Sequence, residues 1–178
     1  METTDWHHAP LHRFVPGAVH MITAGTLYKA HLFTGVQRLE LMQSTILHHL
    51  DVVGWRPHAW ACFSNHYHLI VSIPEKSKAL SPAMKSLHGK LAISLNKSDG
   101  ISGRKVMYQF WDTCITYDNS YYARLNYVMN NPVKHKLVSD ARTYPWCSAA
   151  WFHEQNQSAF CRKVASYGCD RIEEPDDY

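Results

Sequence analysis

Cys62-Phe63-Ser64-Asn65-His66-Tyr67-His68-Leu69-Ile70-Val71-Ser72-Ile73 is the stretch whose reading decides the fold. Two apolar runs flank a polar dipeptide, so it reads as a β-hairpin turning at Ser64-Asn65, with two histidines opening the second strand. Strand side chains alternate between faces, which places His66, His68, Ile70 and Ser72 on one side and Tyr67, Leu69, Val71 and Ile73 on the other. Two imidazoles on one rigid strand are half of a metal site, because neutral imidazole is the commonest metal-ligating side chain. For a His-x-His pair taken alone, imidazoles hydrogen-bonded at a sheet surface are the commoner reading, so a partner elsewhere must decide.

Outward from the hairpin, the pattern alternates strands with helices. Upstream, residues 18–24 have strand composition and stop at Gly25. Val36, Leu39, Met42, Ile46, Leu47 and Leu50 then recur at helical spacing, up to about Gly54. Pro57 to Phe63 forms the first hairpin strand, and Pro74 closes the second. Downstream, Ser81-Pro82 opens a helix whose stripe is Met84, Leu87, Leu91 and Leu95. A basic, turn-rich segment, Asn96 to Lys105, leads into an aromatic strand from Val106 to Tyr117. The order strand, helix, strand, strand, helix, strand predicts an α+β fold of the ferredoxin-like kind, an antiparallel sheet with helices packed mainly on one face.

The next helix is expected from Tyr121 to Asn131, capped by Asp118-Asn119-Ser120 and stopped by Pro132. Tyr121, Tyr122, Leu125, Val128 and Met129 make its apolar stripe. Tyr127 lies about 160° from Leu125, and Asn131 about 40° from Tyr127. One reading makes Tyr127 a surface cover. The other turns this face to the sheet, with Asn131 as an oxygen ligand beside His66 and His68 and Tyr127 as a nucleophile. That chemistry is coherent, since a phenol of pKa about 10 attacks poorly until a cation or base favours the phenolate.

The 178 residues are 46% hydrophobic, enough for one substantial core. No apolar run approaches the roughly 20 residues of a membrane span, and the first residues lack a signal-peptide plan, so a cytoplasmic protein is expected. Five cysteines without Cys-x-x-Cys spacing argue against a disulfide framework or zinc ribbon. Net charge is +3, but four of the 15 acids fall within Glu173 to Tyr178; the remainder has 18 basic against 11 acidic residues, or +7. A basic body suits a polyanion partner. Arg104, Lys105, Arg124, Lys134 and Lys136 are the candidate phosphate contacts, with Arg104 and Lys105 favoured by their turn.

Ser64-Asn65-His66-Tyr67-His68-Leu69 resembles the histidine–hydrophobic–histidine motif of the single-tyrosine HUH nucleases, and Tyr127-Val128-Met129-Asn130-Asn131-Pro132-Val133 resembles their nucleophile helix. Gly103-Arg104-Lys105-Val106 and Tyr144-Pro145-Trp146-Cys147-Ser148 are further echoes, and the nearest likeness is to the REP-associated tyrosine transposases and related insertion-sequence transposases. The resemblance covers roughly residues 14–152. Residues 1–13 show no periodicity and read as an irregular arm, the resemblance implies an HUH transposase domain over 14–153, and 154–178 read as an extension with an acidic end. The resemblance also implies Mg²⁺ or Mn²⁺ on His66, His68 and Asn131, and attack by Tyr127 on single-stranded DNA at or near a hairpin. A 5′-phosphotyrosine and a free 3′-hydroxyl would result, in a monomer or homodimer. His135-Lys136 stands where the family has a small-residue pair. A cupin-like site would need a glutamate a few residues after His68, and none is there. A non-catalytic module holding hairpin DNA or RNA is the alternative from another class.

Overall fold

The structure is a computed structural model that describes residues 15–77, 79–169 and 172. The arm expected over 1–13 and the acidic end from Glu173 lie outside the described residues.

Four antiparallel strands form one sheet in the order β2-β3-β1-β4: β1 (Val19–Thr26), β2 (Arg56–Cys62), β3 (His66–Ser72) and β4 (Met107–Ile115). Helices α1 (Val36–Val52) and α2 (Leu80–Asp99) make the two crossovers, giving the expected ferredoxin-like order. β1 and β3 are central. Their alternation gives both faces apolar side chains, with Ile22, Ala24, Tyr67, Leu69 and Val71 on one and Met21 and Ile70 on the other.

That alternation corrects one expectation. The helices cover both faces of the sheet rather than mainly one. α1 and α2 bury Met42, Ile46, Leu50, Met84, Leu87, Leu91 and Leu95 against the first face. The second face is covered by α3 (Asp118–Lys134), which is backed by α4 (Ala149–Gln155) and α5 (Ser158–Ala165). Two buried sheet faces need two covering layers. The expected boundary at 153/154 falls inside α4, and α5 contributes Cys161 and Val164 to the second core. The outer edge of β2 is also covered: Ala61 bridges Cys147, Cys62 N–H donates to Trp146 O, and Ser148 N–H donates to Trp60 O. Covering this edge hides backbone groups that would otherwise template pairing.

Element bounds moved where local rules lost to packing. β1 continues through Gly25 to Thr26 with an irregularity in its pairing to β4. α2 starts at Leu80 and runs to Asp99, because Asn96 turns its side chain to the following loop and Gly100, at φ 65°, closes the helix. α3 starts at Asp118 after Tyr117, without a side-chain cap, and runs through Pro132 to Lys134. Pro132 cannot donate to Val128 O; the Cys147 thiol lies 4.0 Å from that carbonyl and donates to Met129 O at 3.4 Å. The helix then ends in a Schellman motif, Lys136 N–H to Val133 O and Leu137 N–H to Pro132 O, with Lys136 at φ 58°.

Candidate active site

Register brings the two histidines to the α3 face. His66 pairs with Gly25 and His68 with Thr23 on β1, and Ala61 flanks His68 from β2. The imidazole centroids are 5.1 Å apart, nearly perpendicular. Phe63 stacks on His66 at 4.5 Å and forms one wall.

Each imidazole is oriented by a neighbour. Asn65 donates its amide NH₂ to Lys29 O at 3.2 Å, so its carbonyl oxygen is the atom 2.9 Å from His66 Nδ1. A carbonyl oxygen only accepts, hence His66 Nδ1 carries the proton and Nε2 is left as the basic nitrogen. Thr23 Oγ1 lies 2.8 Å from His68 Nδ1 and fixes the second ring. Holding one ring nitrogen this way sets the tautomer and raises the ligand quality of the other.

α3 lies with Tyr127 and Asn131 toward this strand. The Tyr127 ring centroid is 5.6 Å from that of His68, and Lys134 Nζ sits 4.9 Å over the Tyr127 ring. Both Tyr127 and Asn131 are buried, as are His66 and His68. The expected single apolar stripe is corrected: α3 is buried on two sides. Asn126 and Tyr122 face α5, with Asn126 Nδ2 donating to Tyr167 O at 2.7 Å and Tyr122 packing on Phe160 and Tyr167. That second layer is why the tyrosine off the Leu125 stripe is an interior residue.

Asn131 has both amide atoms buried with no hydrogen-bond partner among the described residues. A buried carboxamide normally finds partners. Asn131 lies on the helix between Tyr127, whose ring meets His68, and His135, whose ring meets His66, and an orphaned amide oxygen there fits a ligand to a divalent cation that keeps positions for water or a phosphate. Among the described residues no three His, Cys, Asp or Glu side chains converge as a metal site, so this set depends on the asparagine oxygen.

The other tyrosines are placed elsewhere. Tyr121 binds His58 Nδ1 at 2.5 Å, and His58 Nε2 meets Ser72 Oγ at 2.6 Å. Ser72 is four residues along β3 from His68, about 13 Å, and burial pushes the Tyr121 phenol up to about 12. Tyr117 is exposed beyond the end of β4.

The five candidate phosphate contacts separate. Arg104 is committed to Asp99, 2.6 Å away, and to Asn96, and Asp99 also holds Arg38. Arg124 donates to Ser120 Oγ within α3. Lys105, Lys134 and Lys136 are exposed, and Lys105 lies 5.3 Å over Tyr108. Sequence reading missed Asn65 and Thr23 as orienting groups, and His135, whose ring is 5.3 Å from His66. Asn65 adjoins His66, and His135 follows Asn131 by one helical turn, so both were legible in spacing. Thr23 needed the register.

No protein-family model and no curated protein sequence matches the chain. Among solved structures, a REP-associated tyrosine transposase bound to a REP hairpin superposes with a TM-score of 0.65 at 19% identity, over 94% of this chain and 93% of that one. The chain has the fold of a REP-associated tyrosine transposase. A provisionally named transposase from Deinococcus radiodurans R1 aligns over 69% of this chain and 97% of its own, with a TM-score of 0.46 at 12% identity.

Proposed function

We propose that the protein is a metal-dependent single-stranded DNA nuclease and strand transferase, acting at or near hairpin-forming palindromic DNA with Tyr127 as nucleophile. The observation that carries this reading is the meeting of His66, His68 and Tyr127 from two elements, with the buried, partnerless amide of Asn131 one helical turn beyond Tyr127, in a chain folded like a transposase held with a REP hairpin. His66 and His68 would hold Mg²⁺ or Mn²⁺ through ring nitrogens, and Asn131 through its amide oxygen. An ion held there would supply Lewis-acid polarisation of a phosphoryl oxygen and would favour the phenolate of Tyr127.

The chain's own groups do the rest. Tyr127 Oη attacks phosphorus, a tyrosine–phosphate bond forms, and the bond to the 3′ oxygen breaks. That oxygen leaves as a 3′-hydroxyl after taking up a proton, and the 5′-phosphate stays on the tyrosine. Attack by another 3′-hydroxyl reverses the step with no net change in phosphoester count, so rejoining needs no external energy. Lys134, over the Tyr127 ring, and exposed Lys136, just past the end of α3, supply positive charge for the flanking phosphates.

One observation favours a second reading. His68 and Asn131 are fully buried and Tyr127 is only 3% exposed, which also suits a non-catalytic module that binds hairpin DNA or RNA and uses these residues structurally. Labelled single-stranded hairpins, incubated with Mn²⁺ or with chelator and run on a denaturing gel, separate the two. The nuclease gives a protein-linked band with wild type and metal, none with chelator, and none with Tyr127→Phe at unchanged hairpin affinity. Tight binding without that band, in a pool including the DNA flanking its own gene, selects the module.

A further inference from the structure

The turn that follows β1, Leu27–Lys29, is strained. Tyr28 and Lys29 are consecutive L-residues with φ of 58° and 53°, a region where a Cβ crowds the backbone. Such strain persists where the surroundings over-determine it. Here Thr26 N–H donates to Asn65 O and Leu27 N–H to Val106 O, each at 2.8 Å. Thr26 Oγ1 donates to Ala30 O at 2.7 Å, and the Asn65 amide donates to Lys29 O. The result is an aromatic side chain held outward: Tyr28 is 75% exposed, with exposed Lys29 and His31 beside it.

The turn adjoins the candidate active site. Gly25 pairs with His66, and Tyr28 is three residues on, at most about 11 Å along the chain. Asn65 joins the two places, holding the strained Lys29 carbonyl with one end of its amide and the His66 proton with the other. Across the turn, Val106 follows exposed Lys105. An outward ring followed by an exposed lysine suits an unpaired strand, because every base has a face to stack and every nucleotide a phosphate to neutralise.

We propose that Tyr28 and Lys29 form a single-stranded DNA contact, Tyr28 stacking on an unpaired base next to the nucleotide presented to Tyr127 and Lys29 meeting a neighbouring phosphate. The contact rests on the DNA reading above, and Asn65 couples it to His66. It sets which nucleotide reaches the tyrosine.

The test uses the full chain and hairpin oligonucleotides with 2-aminopurine at each unpaired position beside the stem, in chelator so that no strand is cut. Wild type should quench one position, Tyr28→Trp and Tyr28→Phe should quench the same one, and Tyr28→Ala should not. Affinity should fall about tenfold in Tyr28→Ala and return in Tyr28→Trp. Lys29→Ala should lower the slope of log affinity against log salt by about 0.7. Tyr28→Gly, which relieves the strain, should bind as weakly as Tyr28→Ala while melting no lower than wild type, separating lost contact from lost fold. Unchanged quenching at every position in Tyr28→Ala, failure of Tyr28→Trp to restore it, or no binding to any hairpin overturns the proposal. Quenching as expected without a covalent product in metal would sink the tyrosine chemistry and leave the contact standing.

Discussion

At the scale of single residues, Asn131 carries the sharpest conflict between stability and use. Burying an amide without partners costs about 1–3 kcal/mol, and both amide atoms of Asn131 are in that position. A cation on the amide oxygen would offset that cost, and packing alone does not. Asn131→Leu, close in volume, is therefore expected to raise the free energy of unfolding in chelator by roughly 1–3 kcal/mol in urea melts. The same variant should lose Mn²⁺ binding in a calorimetric titration. A destabilised Asn131→Leu with unaltered Mn²⁺ affinity would assign the asparagine to structure. The grouping of these side chains was legible in the sequence, because alternation placed His66 and His68 on one face and helical angle paired Tyr127 with Asn131. The groups that orient them were less visible. Thr23 stands 45 residues before His68, and only the β1–β3 register brings them together.

At the scale of elements, periodicity located every long helix and strand of the described residues within a few residues, yet it did not show that α3 is buried on two sides. A helical wheel gives angles between side chains, not the number of layers that will cover them. The short helices α4 and α5 cover the side carrying Asn126 and Tyr122, so the Tyr127 side is free to meet the sheet. α2 shows a different consequence of packing. His88 meets the Tyr67 hydroxyl at 2.8 Å, and burial, with a smaller contribution from His49, lowers it from 6.5 to about 4. His88 is thus neutral in the folded state at pH values where an unfolded histidine is already charged. The stability this represents is complete above about pH 6.5 and is lost as pH falls toward 4. His49 and His58 are lowered in the same direction, also chiefly by burial. Urea melts between pH 7 and 4.5 should show wild type losing stability more steeply than His88→Gln, by up to about 1.4 kcal/mol per pH unit. Parallel pH profiles would mean that His88 titrates alike in the folded and unfolded protein.

For the molecule as a whole, the ferredoxin-like order was readable because each crossover is one helix and each period change is clean. The two-sided covering was not, since it depends on where a chain of short elements after Pro132 returns. Charge distribution is a property of the same scale, and it needs no fold to be counted. The net charge of +3 is held down by four acids between Glu173 and Tyr178, and removing that end leaves +7. Long-range attraction between a basic body and a phosphate backbone acts mainly on the association rate, and salt screens it over about 10 Å at 0.1 M. Ending the chain after Ile172 should therefore speed association with a hairpin oligonucleotide several-fold in stopped-flow at about 20 mM salt, with little change in dissociation. The gain should shrink toward nothing near about 0.5 M salt, where the Debye length is only a few ångströms. If the acidic end acted through a specific contact instead, the gain would survive high salt and appear in the dissociation rate. Equal association rates at low salt would show that the field an approaching hairpin meets is set by exposed lysines such as Lys29, Lys105 and Lys136, and that the terminal acids do not contribute to it.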